Sequence, residues 1–347
     1  MENLVYLIEK KPDAIVEISA HTDNKGSDSY NMDLSQRRAE SVVEFLVLKG
    51  INRKNVFTLT NYEDAISIKK FLKNKKEGVI IGCGMIGIKA AEFLKQLGVN
   101  ITIVELMNRP FASVLDEKSG KIVADEIKKH TKLILNNSVV EITDIECILK
   151  SGERIPSDIV ICAIGVVPNI DIAKKSGIQV NRGIVVNSSM LTSNKNVYAV
   201  GDCSESYDML IDKNRPLPIW PVAYRQGNVA GNNIVGVKSV YAGGFVRNSV
   251  DIFGLPLITL GSSTETACEE FVSVDEKLKK YKKIIVKDNK IIGAILAGDI
   301  NRAGIITGLI KDKIDVSSFK NDLLKENFGY IYVPKEFRSK EVVPTEI

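Results

Sequence analysis

The stretch Gly78 to Gly98, GVIIGCGMIGIKAAEFLKQLG, restricts the fold more than any other part of this chain. A short apolar run, Val79 to Ile81, predicts a buried strand. Gly82, Gly84 and Gly87 follow as G-x-G-x-x-G. Apolar residues at Ile86, Ala90, Phe93, Leu94 and Leu97 then recur at helical spacing, and Gly98 is a natural stop. In this strand–turn–helix context Gly82 allows a tight turn, Gly84 lets the backbone approach a pyrophosphate, and Gly87 lets the helix pack on the strand. The amides of Met85, Ile86 and Gly87 at the helix start are the expected phosphate donors. A second strand, Asn100 to Val104, ends in Glu105, where a carboxylate accepts from a ribose 2′-OH and repels a 2′-phosphate. That pattern predicts dinucleotide binding with NAD preferred to NADP. A G-x-G-x-x-G taken alone is also met as a plain turn between strand and helix.

A chain of 347 residues supports two or three domains. The net charge of +4, with Lys and Arg scattered, leaves no nucleic-acid footprint. No apolar run suits a bilayer span, and the start, MENLVYLIEKKPDAI, has no signal-type pattern, so the expected location is cytoplasmic. The five cysteines are dispersed with no C-x-x-C, and there are only two histidines, so no metal site is expected.

In chain order, Ala14 to Ala20 predicts a strand, HTDNKGSDSYNMD a polar loop, and Leu34 to Lys49 a helix. That helix carries Ala39, Val42, Val43, Leu46 and Val47 on one face. Asn61 is a candidate helix cap, with Ala65, Ile68 and Leu72 as the apolar stripe behind it. DEKSGKIVADEIKKH predicts a surface helix. KLILNNSVVEI, ECILKS-GE-RIP and SDIVICAIG predict strands, with Ser151–Gly152 as a hairpin tip. The strand Val197–Val200 leads into Gly201 and Asp202. Pro221 suits the first turn of a helix over IWPVAYRQGNVAGNNIVG. KKIIVKDNKIIGAILAGD predicts a hairpin turning at Asp288–Asn289.

Two resemblances rest on these residues. VEISAHTDNKGSDSYNMDLSQRRAESVVEFLVLKGI resembles the OmpA-like peptidoglycan-binding domain. There the Asp of H-T-D and the Arg of L-S-x-x-R clamp a diaminopimelate stem, which assigns Asp23 and Arg38. Residues 56–347 resemble the pyridine nucleotide-disulfide oxidoreductase family, nearest its FAD-dependent NADH oxidase, rubredoxin reductase and nitrite-reductase-like members. The motifs that carry this are GCGMIG, Glu105, CAIGVVPN (162–169), VYAVGD (197–202) and the WPVA helix. The resemblance implies an NAD site at Gly82, Gly84, Met85, Ile86, Gly87, Glu105, Ile164 and Gly165. It also implies an FAD site at Gly201, Asp202, Pro221 and Val222, with the helix start aimed at the flavin. Hydride from NADH then passes through flavin to oxygen or a small redox protein such as rubredoxin, in a homodimer. No protein acid or base is required, so no catalytic side chain is assigned.

The implied fold class is α/β. A Rossmann-like NAD(P)-binding domain is inserted in a partial FAD-binding domain, followed by a C-terminal α+β interface domain and preceded by a short OmpA-like α/β fragment. The expected boundaries are 1–55 for that fragment, 56–76 for a remnant linker helix of the FAD domain, 77–165 for the NAD domain, 166–236 for the C-terminal part of the FAD domain, and 237–347 for the interface domain. Two departures from the family pattern stand out. The family's own N-terminal FAD fold, which seats the ADP half, is replaced here by the OmpA-like segment, so weakened FAD binding is expected. Lys89 stands where the family usually has Glu. The alternatives are a peptidoglycan-binding module fused to a non-catalytic nucleotide fold, and an inactive chimeric product.

Overall fold

The computed structural model describes residues 54–335 apart from 264 and 266, so Asp23, Arg38 and the OmpA-like segment lie outside the described residues. The chain divides into two compact units. Over the described residues the first comprises 54–112 and 123–165, and the second 113–122 and 166–335.

The first unit is built on a five-stranded parallel sheet. Its strands are β1 (Val56–Thr58), β2 (Glu77–Ile81), β3 (Asn100–Val104), β4 (Lys132–Ile134) and β8 (Ile159–Cys162), in the order β1-β8-β2-β3-β4. Val79, Ile80, Ile103, Ile159, Val160 and Ile161 are almost wholly buried. Runs this apolar are what a parallel sheet covered on both faces requires. Helix α1 (Tyr62–Phe71) is capped by Asn61, as the sequence predicts, and Asp64 completes a capping box, but only Ile68 of its stripe is fully buried. Within the segment 56–76, Val56–Thr58 pairs in parallel with Val160–Cys162 and forms the edge of this sheet. A three-stranded antiparallel sheet, β5 (Val139–Ile142), β6 (Glu146–Leu149) and β7 (Arg154–Pro156), packs Cys147, Leu149 and Ile155 against Val79, Val104 and Val160.

Helix α2 (Met85–Gln96) buries Gly87, Ile88, Ala90, Ala91 and Leu94. Its inward face is therefore rotated from the predicted one. Ile88 and Ala91 replace Phe93 and Leu97, and Leu97 is left exposed as the C-cap residue. Helix α3 (Glu117–Ile127) is less of a surface helix than its composition suggests, since Ser119, Val123, Ala124 and Ile127 are buried.

The second unit holds two cores. Around the first lie β9 (Ile184–Val185), β10 (Ser204–Asp208) and β11 (Lys213–Pro216), following the short helix α4 (Asp171–Lys175). Helix α5 (Trp220–Ile234) adds Val222, Val229 and Ala230 to Ile184, Val186, Leu217 and Tyr241 in that core. Around the second lies an antiparallel sheet of β12 (Arg247–Ile252), β13 (Leu255–Gly261), β14 (Glu269–Asp275), β15 (Lys280–Lys287) and β16 (Lys290–Ala297), in the order β12-β13-β16-β15-β14. Helix α6 (Ala303–Lys311) covers it with Ile306, Leu309 and Ile310. The β15–β16 hairpin turns at Asp288 and Asn289, both at positive φ (49° and 57°), as the two-residue turn predicts.

Asp116 fixes the short segment 113–122 within this unit. Its carboxylate accepts from the Tyr281 hydroxyl, from Ser119 N (2.9 Å) and Ser119 Oγ (2.7 Å), and lies 3.3 Å from Lys283 Nζ. Lys283, only 5% exposed, also pairs with Glu270 at 2.7 Å. Burial raises the Asp116 carboxyl, but these donors and the Lys283 charge outweigh it and hold the group below the usual carboxylate range.

Candidate functional site

The glycine turn sits where β2 leaves the sheet with β3 on one side and β8 on the other. The ends of these strands are tied: Gly82 N donates to Val104 O (2.8 Å), Ala163 N to Ile81 O (2.8 Å) and Glu105 N to Ile134 O (2.8 Å). Ligands of open parallel sheets bind at such carboxyl ends.

Each glycine has a distinct reason to be there. Gly82 has φ of +101°, and a Cβ on it would stand 2.4 Å from Ala163 O. A Cβ on Gly87 would stand 2.2 Å from Gly82 O, so helix α2 packs onto the turn only through a bare α-carbon. Gly84 differs, because nothing lies within 4 Å of where its Cβ would be. Gly84 is also the N-cap of α2 and offers no side-chain cap, and the first turn holds no acidic residue. The amides of Met85, Ile86 and Gly87 therefore lack intrahelical acceptors and stand beside an open backbone. With the positive end of the helix dipole, this is a seat for an anion.

Glu105 closes the turn from the neighbouring strand. It is 8% exposed. Its Oε2 accepts from Cys83 N at 2.7 Å, and its Oε1 from Met107 N at 2.9 Å. Burial raises its carboxyl, partly offset by the backbone donors Met107, Cys83 and Leu106. The sequence places an acid beside the glycines, and the structure brings it there. Its bonds to the turn itself are what sequence reasoning missed. The Cys83 carbonyl accepts from Phe111 N at 3.1 Å, which ties the turn to the segment after Glu105. Cys83 is fully buried and its thiol is pushed far up by burial and by Glu105, so it is packing rather than a nucleophile. Ile164 and Gly165 (φ +119°) follow β8 directly after Ala163, the residue against the Gly82 turn. Lys89, the charge-reversed position, lies on the exposed side of α2 and pairs with Glu92 at 2.6 Å.

The second expected site lies in the second unit. Gly201 (φ +80°), Asp202 and Cys203 form a 3₁₀ turn. Gly201 N donates to Gln226 Oε1 (2.6 Å), and a Cβ on Gly201 would lie 3.6 Å from Ala223 Cβ. The turn thus sits against α5, and Gly201, Asp202 and Pro221 are brought into one region. Gln226, 1% exposed, organises it. Its Oε1 also accepts from Ser204 Oγ (3.2 Å) and its Nε2 donates to Ser206 Oγ (2.7 Å). Asp202 is exposed at the tip.

Val222 is placed differently from Asp202. Its side chain is fully buried in the core, and its N–H returns to Ile219 O at 3.0 Å, as that of Ala223 does at 3.1 Å. Pro221 has no N–H to offer. The start of α5 therefore presents few free donors. A recess of about 350 Å³ lined by Val186, Asn187, Met190, Tyr207 and Tyr241 contains none of the expected site residues. Among the described residues no cluster of His, Cys, Asp and Glu suits a metal ion, and no helix is long and apolar enough to cross a membrane.

Comparison with known proteins identifies the family. The profile of the pyridine nucleotide-disulphide oxidoreductase family matches residues 41–227. That of the rubredoxin NAD+ reductase C-terminal domain matches 248–314. The OmpA family profile matches 1–77, which extends past the expected limit at 55. The chain is 29% identical over 284 residues to the nitrite reductase [NAD(P)H] of Bacillus subtilis, covering 80% of this chain but 34% of that protein. It is 34% identical to the NADH-rubredoxin oxidoreductase of Clostridium acetobutylicum, covering 79% of this chain and 68% of that protein. A NAD-dependent persulfide reductase from A. fulgidus superposes with a TM-score of 0.70 at 26% identity, covering 77% of this chain and 54% of that one. With more than half of its residues matched and both glycine turns in family order, the chain belongs to the pyridine nucleotide-disulphide oxidoreductase family.

Proposed function

We propose that the chain is an NAD(P)H-dependent flavin oxidoreductase that takes NADH at the Gly82–Gly87 turn. The observation that carries this reading is the open backbone at Gly84 beside three uncapped helix amides, with Glu105 on the next strand. Met85, Ile86 and Gly87 N–H groups hold the diphosphate, Glu105 faces the adenosine ribose, and Ile164 and Gly165 border the dinucleotide. FAD, when bound, supplies two-electron acceptor chemistry. In this chain Asp202, exposed on a turn held by Gln226, fits the polyol or phosphate end of that cofactor. The start of α5 fits it less well, because Val222 N–H is already used. The match of 248–314 to a rubredoxin NAD+ reductase C-terminal domain supports a small redox protein as acceptor. We assign 77–165, together with the edge strand β1 that pairs with β8, to the nucleotide domain, 166–236 to the flavin part and 237–347 to the interface domain.

The test is a titration with NADH, followed by its fluorescence, on the wild-type chain and on Gly84→Val. The Cβ it adds has no atom within 4 Å, so the folded state is expected to survive while the diphosphate seat is covered. Loss of binding by at least about tenfold, 1.4 kcal/mol, is expected. Equal affinity in both proteins would remove the assignment. A visible flavin band on adding FAD, weakened in Asp202→Ala, tests the second cofactor separately.

The OmpA family match at 1–77 supports a further reading, in which this part binds peptidoglycan through Asp23 and Arg38. Retention on cell-wall material that is lost with Asp23→Ala is the expected result. Retention unchanged by the substitution would refute it.

A further inference from the structure

Two arginines of the second unit stand together with no acid to neutralise them. Arg225 lies on α5 and Arg247 opens β12, and both are half-buried. Arg225 spends its Nε on Pro221 O (3.2 Å), and its terminal nitrogens have no partner among the described residues. Arg247 makes neither a hydrogen bond nor an ion pair among them. The carboxylate in the neighbourhood, Asp208, is already taken, since it is wholly buried and pairs with Arg215 at 2.6 Å. Burial and the Arg225 charge both hold the Arg247 guanidinium below its usual range, as expected of like charges with no acid between them.

The fold brings the pair together at Gly244. A Cβ there would stand 2.4 Å from Tyr241 Oη, 3.0 Å from Val222 Cγ2 and 3.5 Å from Arg225 Nη2. The backbone cannot retreat from this crowding. Gly244 N donates to Tyr207 O (3.2 Å), and Gly244 O accepts from Met209 N (2.9 Å). A bare α-carbon thus lets the Arg225 guanidinium lie against the segment that leads directly into Arg247. Tyr241 is 5% exposed and its hydroxyl has no hydrogen-bond partner, because Ser206 and Gln226 lie beside it outside bonding geometry. A buried hydroxyl left in this state marks a place where a water or a ligand atom belongs. The region is separate from the Gly201 turn. Arg225 projects about 160° around the helix from Ala223, the residue against which that turn packs.

We infer that Arg225 and Arg247 form a seat for a phosphate group, either the free ion or the group carried by a small phosphorylated molecule. Two guanidiniums held side by side repel each other until an anion lies between them. A single carboxylate neutralises one of them. A dianionic phosphate neutralises both and offers acceptor oxygens to both planar forks. The inference does not depend on the NADH site, which lies in the other unit.

The experiment is calorimetric titration of the full chain with inorganic phosphate at low ionic strength, with acetate as the monoanionic control. Saturable binding of one phosphate per chain is expected, with acetate at least about tenfold weaker. Arg225→Gln and Arg247→Gln should each weaken phosphate at least about tenfold, and the second serves if the first fails to fold. In phosphate-free buffer Arg247→Gln should melt at or above the wild-type temperature, because a repulsion is removed; added phosphate should then raise the melting temperature of the wild type only. The same titration with FAD or NADH already saturating distinguishes the source. Undiminished phosphate binding supports a separate seat. Displacement by either cofactor would assign the arginines to that cofactor's own phosphates and overturn the proposal. So would the absence of saturable binding, equal affinity for acetate, or a lower melting temperature of Arg247→Gln combined with unchanged phosphate affinity.

Discussion

The two glycine turns of this chain each follow an apolar run, Val79–Ile81 and Val197–Val200, and are held in opposite ways. At Gly82–Gly87 the turn is pinned from the next strand by a carboxylate, and the helix behind it begins with no cap and open backbone. At Gly201–Cys203 the turn is pinned from the helix by a neutral amide, Gln226, and the start of that helix satisfies its own donors through Ile219 O. The first arrangement leaves amides free for an anionic ligand. The second leaves a single exposed carboxylate, suited to hydroxyl donors. The two turns thus present groups of opposite polarity.

The contrast is open to direct challenge. The largest effect is expected from Gly87→Ala, because its Cβ would stand 2.2 Å from a backbone oxygen that cannot give way. Thermal or urea unfolding should show a loss of about 3–4 kcal/mol, comparable with severe overpacking. Next is Gln226→Ala. It leaves the buried partners Gly201 N, Ser204 Oγ and Ser206 Oγ short of a bond, and should cost about 2–3 kcal/mol. Ser204 retains its bond to Gly201 O (2.8 Å), which keeps the loss from being larger. NADH affinity of the folded fraction should not change.

Glu105→Gln keeps the shape but turns an amide NH₂ toward one of two N–H donors. A loss of about 1–2 kcal/mol is expected together with weaker NADH binding. A stability unchanged from wild type would show that the carboxylate does not hold the turn. The smallest change in stability, within about 0.5 kcal/mol, is expected for Asp202→Asn, an exposed residue whose effect should appear only in flavin titrations.

Much of the first site was legible because its signals are local. Asn100–Val104 forms a strand with the predicted bounds, and the three glycines are spaced for backbone contacts that lie close in sequence. The Asp288–Asn289 turn and the Asn61 cap were legible for the same reason. The inward face of α2 was misjudged because Leu97 counts as apolar in any periodicity, yet the helix ends at Gln96 and releases it to solvent. Gln226 was not legible at all. A glutamine in the middle of a helix reads as a solvent residue, and only the fold shows three polar partners around it. The Asp116–Tyr281 bond joins residues 165 apart in sequence and carries no pattern. Val222 was assigned by position in a motif, where its backbone rather than its side chain decides what it offers.

The two hydrogen bonds of Glu105 also constrain how this protein can evolve. A switch of coenzyme from NADH to NADPH is usually sought by removing the acid at this strand end. Here the same side chain fastens Cys83 and Met107, so on the proposed reading its removal loosens the phosphate seat at the moment it admits the extra phosphate. A lineage changing its preference would first need a second fastening for the turn, such as a neutral acceptor reaching Cys83 N–H. On that reading the choice of reductant is coupled to the folding stability of the Gly82–Gly87 turn.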